Sequence, residues 1–192
     1  MARTQLTDKI CAECWNRAID CYGTGKIFIE RANRYRKLLD FISYLGIAVP
    51  ALVGGIVLAY GAHASYLPLI FFAAGLLGLA QLLLSIASVV RSWPSELEYA
   101  HESASANFFL SEEFKRLGST ATSPSPDLQA KSNELIAKDE ARRQQDIKKT
   151  VTDKELRKGH RHGLRYFQRA CVECKQVPRD IISTDCNVCG RF

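Results

Sequence analysis

The sequence lacks the short motifs on which many enzymes of known mechanism depend. It has no glycine-rich phosphate loop, no G-x-S-x-G nucleophile motif and no H-E-x-x-H metalloprotease motif. These absences argue against a P-loop nucleotide hydrolase, a serine hydrolase of the nucleophile-elbow type and a zinc peptidase. We therefore expect a protein that is not an enzyme. Thiol redox chemistry at Cys11-x-x-Cys14 is the catalytic alternative that the sequence offers.

Charged residues are absent from two long stretches of the chain. Residues 41–60 and residues 66–90 contain no Asp, Glu, Lys, Arg or His. A helix of about twenty residues is ~30 Å long, which matches the hydrocarbon core of a bilayer. Because backbone polar groups in lipid must be satisfied internally, each stretch predicts a transmembrane helix. The sequence thus predicts an all-α membrane protein with a two-helix hairpin that turns at residues 61–65.

Lysine and arginine are absent from the turn of this hairpin but frequent on both of its flanks. Under the positive-inside rule, this asymmetry predicts a multi-pass protein with both termini in the cytoplasm. The segment before the first span contains no short apolar core followed by a cleavage-like site, so we expect no signal peptide. The membrane prediction depends on the two spans alone.

The remaining segments are polar and predict cytoplasmic helices, which a linker interrupts. In chain order, the predicted segments are N-terminal helices over residues 1–38, the transmembrane hairpin over 39–92, a juxtamembrane helix over 93–117, a Ser/Thr/Pro-rich linker over 118–126, further helices over 127–159 and a basic zinc-knuckle lobe over 160–192.

Three local features of these segments give sharper expectations. Gly23-Thr24-Gly25 predicts a break between two N-terminal helices. The helix that follows the linker has few apolar positions, so we expect it to be exposed to solvent or to pair with another subunit. Thr152 and Glu155 have the spacing of a capping box, which predicts the start of a short helix ending near Lys158.

Two rows of small or polar residues lie within the spans. Pro50 and the glycines that follow it are expected to interrupt the first span. Rows of small residues let helices approach closely in lipid, either within the hairpin or between subunits. A polar row either forms hydrogen bonds across the hairpin or lines an oligomeric pore, for which Gln81 is the best candidate. The first row consists of Ala51, Gly55 and Ala59, and the second of Gly78, Gln81, Ser85 and Ser88.

Four of the seven cysteines form two pairs at the end of the chain. These are Cys171-x-x-Cys174 and Cys186-x-x-Cys189, and a short spacer, residues 175–185, separates them. Four thiolates at this spacing predict a closed, tetrahedral, structural Zn²⁺ site, with an iron–sulfur cluster and a thiol redox site as less favoured alternatives. We expect Gly190 to adopt a left-handed turn after the second pair.

The other three cysteines, Cys11, Cys14 and Cys21, lie on the predicted first helix. A CxxC pair on a helix can be half of a metal site or a redox pair. Since no second pair or histidine lies nearby in the sequence, we interpret these cysteines as small side chains that pack between helices.

The terminal lobe is basic. Residues 154–192 contain nine Lys and Arg against four Asp and Glu, which accounts for +5 of the net charge of +6. A basic surface mixed with aromatic residues can bind nucleic acid or anionic lipid headgroups. Alternatively, Tyr166 and Phe167 pack on the zinc knuckles and the arginines face water or lipid headgroups. His160 and His162 are alternative metal ligands. The candidate basic patch consists of Arg161, Arg165, Arg169, Lys175 and Arg179.

Two resemblances to known families follow from these features. The hairpin with cytoplasmic helices on both sides resembles the SLATT superfamily of two-transmembrane effector domains from bacterial conflict systems. The ending LRYFQRACVEC…CNVCGRF, residues 164–192, resembles a mobile-element-borne bacterial group named for its CxxC-x(11)-CxxC tail. The first CxxC, at Cys11, has no counterpart in that pattern.

The resemblances imply an effector of the bacterial inner membrane in an anti-phage or mobile-element conflict system. Such a protein forms homo-oligomers and permeabilises the bilayer when a sensor protein or a nucleotide signal triggers it. No catalytic residues are implied. The alternative function is a membrane-anchored zinc lobe that binds nucleic acid or a partner protein.

Overall fold

The computed structural model describes residues 2–60, 67–120 and 126–192, and these ranges form five α-helices without a β-strand. The all-α prediction is confirmed. The turn predicted at residues 61–65 lies outside the described residues. The helices are α1 (Ala2–Tyr60), α2 (Leu67–Val90), α3 (Trp93–Thr120), α4 (Pro126–Ile147) and α5 (Asp153–Tyr166).

One compact unit comprises Arg31–Tyr99 and contains the second half of α1 together with α2. The two helices meet where the amide of Gln81 lies over Gly46: a Cβ built on Gly46 would be 2.6 Å from Gln81 Nε2. Gly46 lies 14 positions before the end of α1 at Tyr60, and Gln81 lies 14 positions after the start of α2 at Leu67. This symmetry shows that the helices pair in antiparallel fashion.

The outer faces of these two helices are apolar and uncovered. Both helices are long and apolar enough to cross a membrane, and the most apolar 18-residue stretch of each contains no buried residue. Large side chains such as Leu58, Phe72 and Val90 are exposed. An apolar helix of a soluble protein usually buries such side chains in its own core, whereas these side chains are uncovered.

The other unit comprises Met1–Glu30 and Ala100–Phe192. Its main apolar cluster joins the first part of α1 to α3 and α4, with Ala18 and Phe114 completely buried. Cys14 and Cys21 belong to the same cluster. Helix α3 therefore packs an apolar face on the N-terminal part of α1.

Helix α4 packs within this unit, although its polar composition predicts exposure or contact with another subunit. Its buried residues recur at steps of three and four and include two carboxylates, Asp139 and Asp146. Asp139 accepts hydrogen bonds from Arg17 (2.7 Å) and Arg143 (3.1 Å). Asp146 accepts them from Asn107 Nδ2 (2.9 Å) and other donors. The prediction is wrong because side chains far away in the sequence satisfy these buried charges.

Helix α1 is continuous through Gly23-Thr24-Gly25 and through Pro50, so the predicted interruptions are wrong. The glycines serve close packing rather than a turn. A Cβ on Gly23 would lie 2.7 Å from the carbonyl carbon of Gly159, and one on Gly25 would lie 2.8 Å from the ring of Phe108. Tertiary contact at these positions outweighs the low helix propensity of glycine.

The segments around the predicted linker are more helical than expected. Helix α3 continues to Thr120 and α4 begins at Pro126, while the rest of the linker lies outside the described residues. The capping box at Thr152 is confirmed by reciprocal bonds with Glu155, of 3.0 and 3.3 Å. Helix α5 then extends to Tyr166, so the predicted end near Lys158 is wrong, and the helix crosses the predicted boundary at residue 159.

Candidate metal centre

The four C-terminal cysteines converge on one point. All four Sγ atoms lie within 4.8 Å of one another. Two of the separations are 3.9 Å, between Cys171 and Cys186, and 3.8 Å, between Cys174 and Cys189. A tetrahedral shell with Zn–S bonds of ~2.3 Å has S–S edges of about 3.8 Å. The donors therefore fit a tetrahedral thiolate-bound ion, whereas a disulfide would require sulfur atoms ~2 Å apart.

Two backbone turns position these thiols. The amide of Lys175 donates to the carbonyl of Cys171 (3.0 Å), and the amide of Gly190 donates to that of Cys186 (2.9 Å). Each turn ends with a residue in the left-handed region: Lys175 has φ 58° and Arg191 has φ 52°. The chain contains no helix or strand over residues 167–192, so turns and side-chain contacts supply the local order.

The role expected for Gly190 is wrong, because the left-handed residue of the second turn is Arg191. Gly190 is buried, and a Cβ on it would overlap the carbonyl oxygen and the hydroxyl of Thr184. The glycine is needed because the backbone of Thr184 approaches closely, and Arg191 N donates to that same carbonyl (2.7 Å).

Glu173 joins the two turns to each other. Its carboxylate accepts hydrogen bonds from the amide of Val188 (3.0 Å), from Asn187 Nδ2 (3.2 Å) and from the thiol of Cys186 (3.0 Å). The bonds from Cys186 and Asn187 lower the pKa of Glu173. The sequence reasoning missed this residue, although its place inside the first CxxC pair puts it beside the metal.

The thiols of the second pair differ electrostatically from Cys174. Burial raises the pKa of Cys189 and that of Cys186. A hydrogen bond from the backbone amide of Gln176 lowers the pKa of Cys174. The second pair therefore retains its protons without metal at neutral pH, and a bound cation must displace them.

Among the described residues, this is the one group of three or more Cys, His, Asp and Glu side chains close enough to hold a metal. The alternative ligands point elsewhere: His160 Nδ1 lies 3.2 Å from Asp20, and His162 Nε2 lies 3.4 Å from Glu30. Four thiolates would fill a tetrahedral shell and leave no position for a substrate, which is the pattern of a structural site.

The lobe is packed against the helices. Cys171 and Cys189 share a second apolar cluster with Ile19 of α1 and Leu164 of α5. Phe167 packs on this cluster and also on the main one. The metal centre is therefore part of the unit that contains α3, α4 and α5.

The candidate basic patch is only partly a surface. Arg165, Arg169, Lys175 and Arg179 are exposed, but Arg161 is buried. Arg161 therefore does not belong to the exposed patch.

The aromatic residues near the patch are engaged within the protein. Tyr166 stacks on Tyr22 with ring centroids 4.1 Å apart, and Phe167 contacts Trp15 edge-on at 5.8 Å. The guanidinium of Arg169 lies 4.5 Å from the centre of the Trp15 ring. This agrees with the interpretation in which Tyr166 and Phe167 pack inside the protein rather than bind nucleic acid. Their partners include side chains of α1 as well as the knuckles.

Two of the three N-terminal cysteines serve in packing. Cys14 and Cys21 are buried, and burial raises the pKa of both thiols. The Cys21 thiol donates to Asp139 (3.3 Å). Thiols held protonated in a core are poor nucleophiles, which argues against Cys14 and Cys21 as redox groups, whereas Cys11 is only partly buried.

The residues singled out in the spans occupy two different faces. Gly78, Gln81, Ser85 and Ser88 all lie on the less exposed side of α2, and Gln81 contacts Gly46. By contrast, Ala51, Gly55 and Ala59 are exposed. A Cβ on Gly55 or on Gly78 would meet no atom within 4 Å. The small-residue row of α1 is thus not used in packing the hairpin, and a role of the polar row in a pore stays a prediction.

A sequence profile for the family described as "Mobilome CxxCx(11)CxxC protein" matches residues 11–192. The match includes both cysteine pairs with the spacing that the description gives. No curated protein and no solved structure matches the chain.

Proposed function

Because the chain belongs to the mobilome CxxCx(11)CxxC family, we propose that it is a membrane effector of a bacterial anti-phage or mobile-element conflict system. Its hairpin spans the inner membrane, several copies assemble, and the assembly permeabilises the bilayer when a sensor protein or a nucleotide signal triggers it. Zn²⁺ is the structural ion of the four cysteines. The protein is a SLATT-like effector and not an enzyme.

The observation that carries the proposal is the uncovered apolar surface of the hairpin. The most apolar stretch of each span contains no buried residue. Exposing this much apolar surface to water is unfavourable by about 25 cal/mol for every Å². Lipid removes that cost without further protein contacts. The absence of Lys and Arg from residues 61–65 and their frequency on both flanks favour a cytoplasmic location for both termini.

The exposed row of small residues supports assembly in the bilayer. Helices associate in lipid where small side chains let backbones approach, and Ala51, Gly55 and Ala59 form such a row on the face that the hairpin leaves uncovered. If copies met through this row, the polar face of α2 would point towards α1 of its own hairpin and away from the contact between copies. A turn of α2 about its axis would then be required to bring Gln81 to a common pore.

Dye-filled liposomes that contain the full-length protein test the proposal. At high protein-to-lipid ratios, where mass action favours assembly without the trigger, the wild-type protein should release dye and form cross-linked oligomers. Gly55→Leu blocks close approach and should reduce both by about fivefold or more, whereas Gly55→Ala, the matched control, keeps the surface small and should stay within about twofold. Gln81→Leu and Gly78→Leu should reduce leakage and the toxicity of overexpression.

Some outcomes would contradict the proposal. A protein that fractionates as soluble lacks the proposed anchor. A protein that remains monomeric and retains dye at every protein-to-lipid ratio, in vesicles of anionic and of neutral lipid, is not a membrane-permeabilising assembly.

The alternative function, a membrane-anchored lobe that binds nucleic acid or a partner protein, has less support. The aromatic rings near the basic patch stack on other rings of the unit, with Tyr166 on Tyr22. Salt-sensitive binding of DNA or RNA by the full-length protein in detergent would favour this alternative over the effector.

A further inference from the structure

Arg161 is the most deeply buried cation of the metal lobe. It lies on α5, which approaches the lobe, and only 6% of its surface is exposed. A buried guanidinium is costly unless hydrogen bonds and negative charge compensate it. Its position therefore requires an explanation that a solvated basic patch does not give.

The guanidinium holds both the spacer between the cysteine pairs and the second pair itself. Its Nε donates to the carbonyl of Asp180 (2.9 Å), and its Nη2 donates to the Asp180 carboxylate (3.0 Å). Its Nη1 donates to the carbonyl of Cys189 (3.3 Å) and lies 3.9 Å from the Cys189 sulfur. The same group thus fixes the middle of the spacer, residues 175–185, and one of the four metal ligands.

Charge gives the contact with Cys189 a second role. Four thiolates and one Zn²⁺ carry about two net negative charges, and a positive group that donates to a thiolate stabilises that excess. Asp180 alone would neutralise Arg161 in the absence of metal. When a metal ion displaces the proton of Cys189, the guanidinium, 3.9 Å from the sulfur, compensates part of the thiolate charge.

The backbone on either side of Arg161 is locked against α1. A Cβ on Gly159 would lie 2.7 Å from the carbonyl oxygen of Gly23, and one on Gly163 would overlap the carbonyl oxygen of Ile19. Residues 159 and 163 lie on one face of α5, and Arg161 lies between them in the sequence. A displacement of Arg161 therefore acts on the contact between the two helices.

We infer that Arg161 is a positioning residue of the metal centre, which orients Cys189, compensates the charge of the thiolates and transmits metal occupancy to the contact between α1 and α5. This inference is independent of membrane permeabilisation. It concerns how the metal lobe is built into the helical unit.

The metal affinity of the full-length protein in detergent micelles tests whether Arg161 orients Cys189 and stabilises the metal-bound thiolates. Arg161→Met removes the charge and the donors while keeping an unbranched apolar stem. It should weaken Zn²⁺ binding in chelator competition by about 10–100-fold, as is usual for partners of metal ligands. Arg161→Lys keeps the positive charge but lacks the several N–H donors of the guanidinium, so it should give an intermediate loss of Zn²⁺ affinity. Arg165→Met, which changes an exposed arginine one helical turn further along α5, is the control and should stay within about twofold.

Co²⁺ bound to the variants provides a second readout. The ligand-to-metal charge-transfer bands should shift in Arg161→Met and remain as in wild type in Arg165→Met. If Arg161→Met does not fold, Asp180→Asn weakens the hold on the guanidinium while Arg161 remains, and a loss of about threefold or more is expected. Affinities that stay at the wild-type value for both Arg161→Lys and Asp180→Asn would overturn the assignment.

Amide hydrogen exchange tests the transmission to α1. Removal of Zn²⁺ by a chelator should increase exchange around residue 161 of α5 and around residue 21 of α1. In Arg161→Lys, the same helices should exchange faster even with Zn²⁺ bound. Unchanged exchange in α1 on metal removal would overturn the coupling, whatever the affinities are.

Discussion

Gly23 of α1 and Gly159 of α5 face each other without room for a side chain, because a Cβ on either would lie 2.7 Å from the backbone of the other. Real Cβ atoms do not approach backbone atoms this closely. The two helices therefore cross at backbone distance, and the unit depends on glycine at both positions.

Gly159→Ala should destabilise the protein. The added methyl group gains ~1 kcal/mol in helix propensity, but the clash with a backbone that cannot rotate away costs about 1–3 kcal/mol. Because the nearest clashing atom is a backbone carbonyl oxygen, we expect the upper end of this range and hence a net loss of about 2 kcal/mol in the free energy of unfolding, measured by chemical denaturation in detergent. Gly54→Ala is the control, since its Cβ meets no atom within 4 Å. Equal stability of Gly159→Ala and wild type would contradict the crossing.

Asp139→Ala should be among the more destabilising substitutions on α4. Only 1% of the Asp139 side chain is exposed, and it accepts from Arg17, Arg143 and Cys21. Its removal takes away the buried acceptor that these donors share, although Arg17 keeps Glu13 and Arg143 keeps Asp20 as partners. We expect a cost of about 2–3 kcal/mol after allowance for these remaining pairs and for the partial exposure of both arginines. Glu140→Ala, at a neighbouring position with 62% exposure, should cost under ~0.5 kcal/mol in the same denaturation experiment. Similar losses for the two variants would show that the buried carboxylate has no special role.

Cys174→Ser should abolish stoichiometric metal binding, because it removes one of four thiolates from a closed shell. Cys11→Ser provides a matched control: Cys11 is also the partner of a CxxC pair, but it lies on α1 outside the cluster. Metal analysis of the purified proteins should find about one Zn²⁺ per chain in the control and in wild type. Metal loss in Cys11→Ser with retention in Cys174→Ser would reverse the assignment.

Metal binding should weaken steeply as the pH falls. Burial raises the pKa of Cys186 and Cys189, so both thiols hold protons at neutral pH in the metal-free protein. Each thiol must release its proton to bind the metal, so the apparent affinity should fall by more than ~10-fold per pH unit below about pH 8. Chelator competition across the neutral and mildly acidic range measures this slope, and calorimetry in buffers of different ionisation enthalpy counts the protons released. An affinity independent of pH would mean that the thiols are ionised before the metal binds.

Features with a local signal in the sequence could be predicted. The spacing of the two CxxC pairs predicts the cysteine cluster, since loops of fixed length bring the thiols together. The capping box at Thr152 depends on residues three positions apart and is observed as predicted. The apolar face of α3 follows from helical periodicity, with Ala100, Ala104 and Phe114 buried.

Features that depend on distant partners could not be predicted from the sequence. The polar helix α4 is anchored by Asp139, whose partner Arg17 lies far away in the chain, on α1. The glycines of α1 have a low helix propensity that predicts a break, and only the approach of α5 explains their presence in a helix. A G-x-x-x-G spacing at Gly159 and Gly163 is the local signal that could have suggested a close helix contact.

Arg161 shows the same difficulty for charge. In the sequence it is one of several basic residues near the cysteine pairs, and composition assigns it to a solvated patch. Its burial depends on the fold of the spacer, which brings the Asp180 carboxylate to 3.0 Å from the guanidinium. Neighbouring Arg165 has the same side chain and remains exposed.

The ring of Phe167 contacts both apolar clusters, one formed with the metal-binding cysteines and the other among α1, α3 and α4. The tail is therefore not a transplantable module. Excision at the cysteine pairs would remove the contacts of this ring with one cluster, and grafting the tail onto another protein would expose apolar surface on both the donor and the recipient.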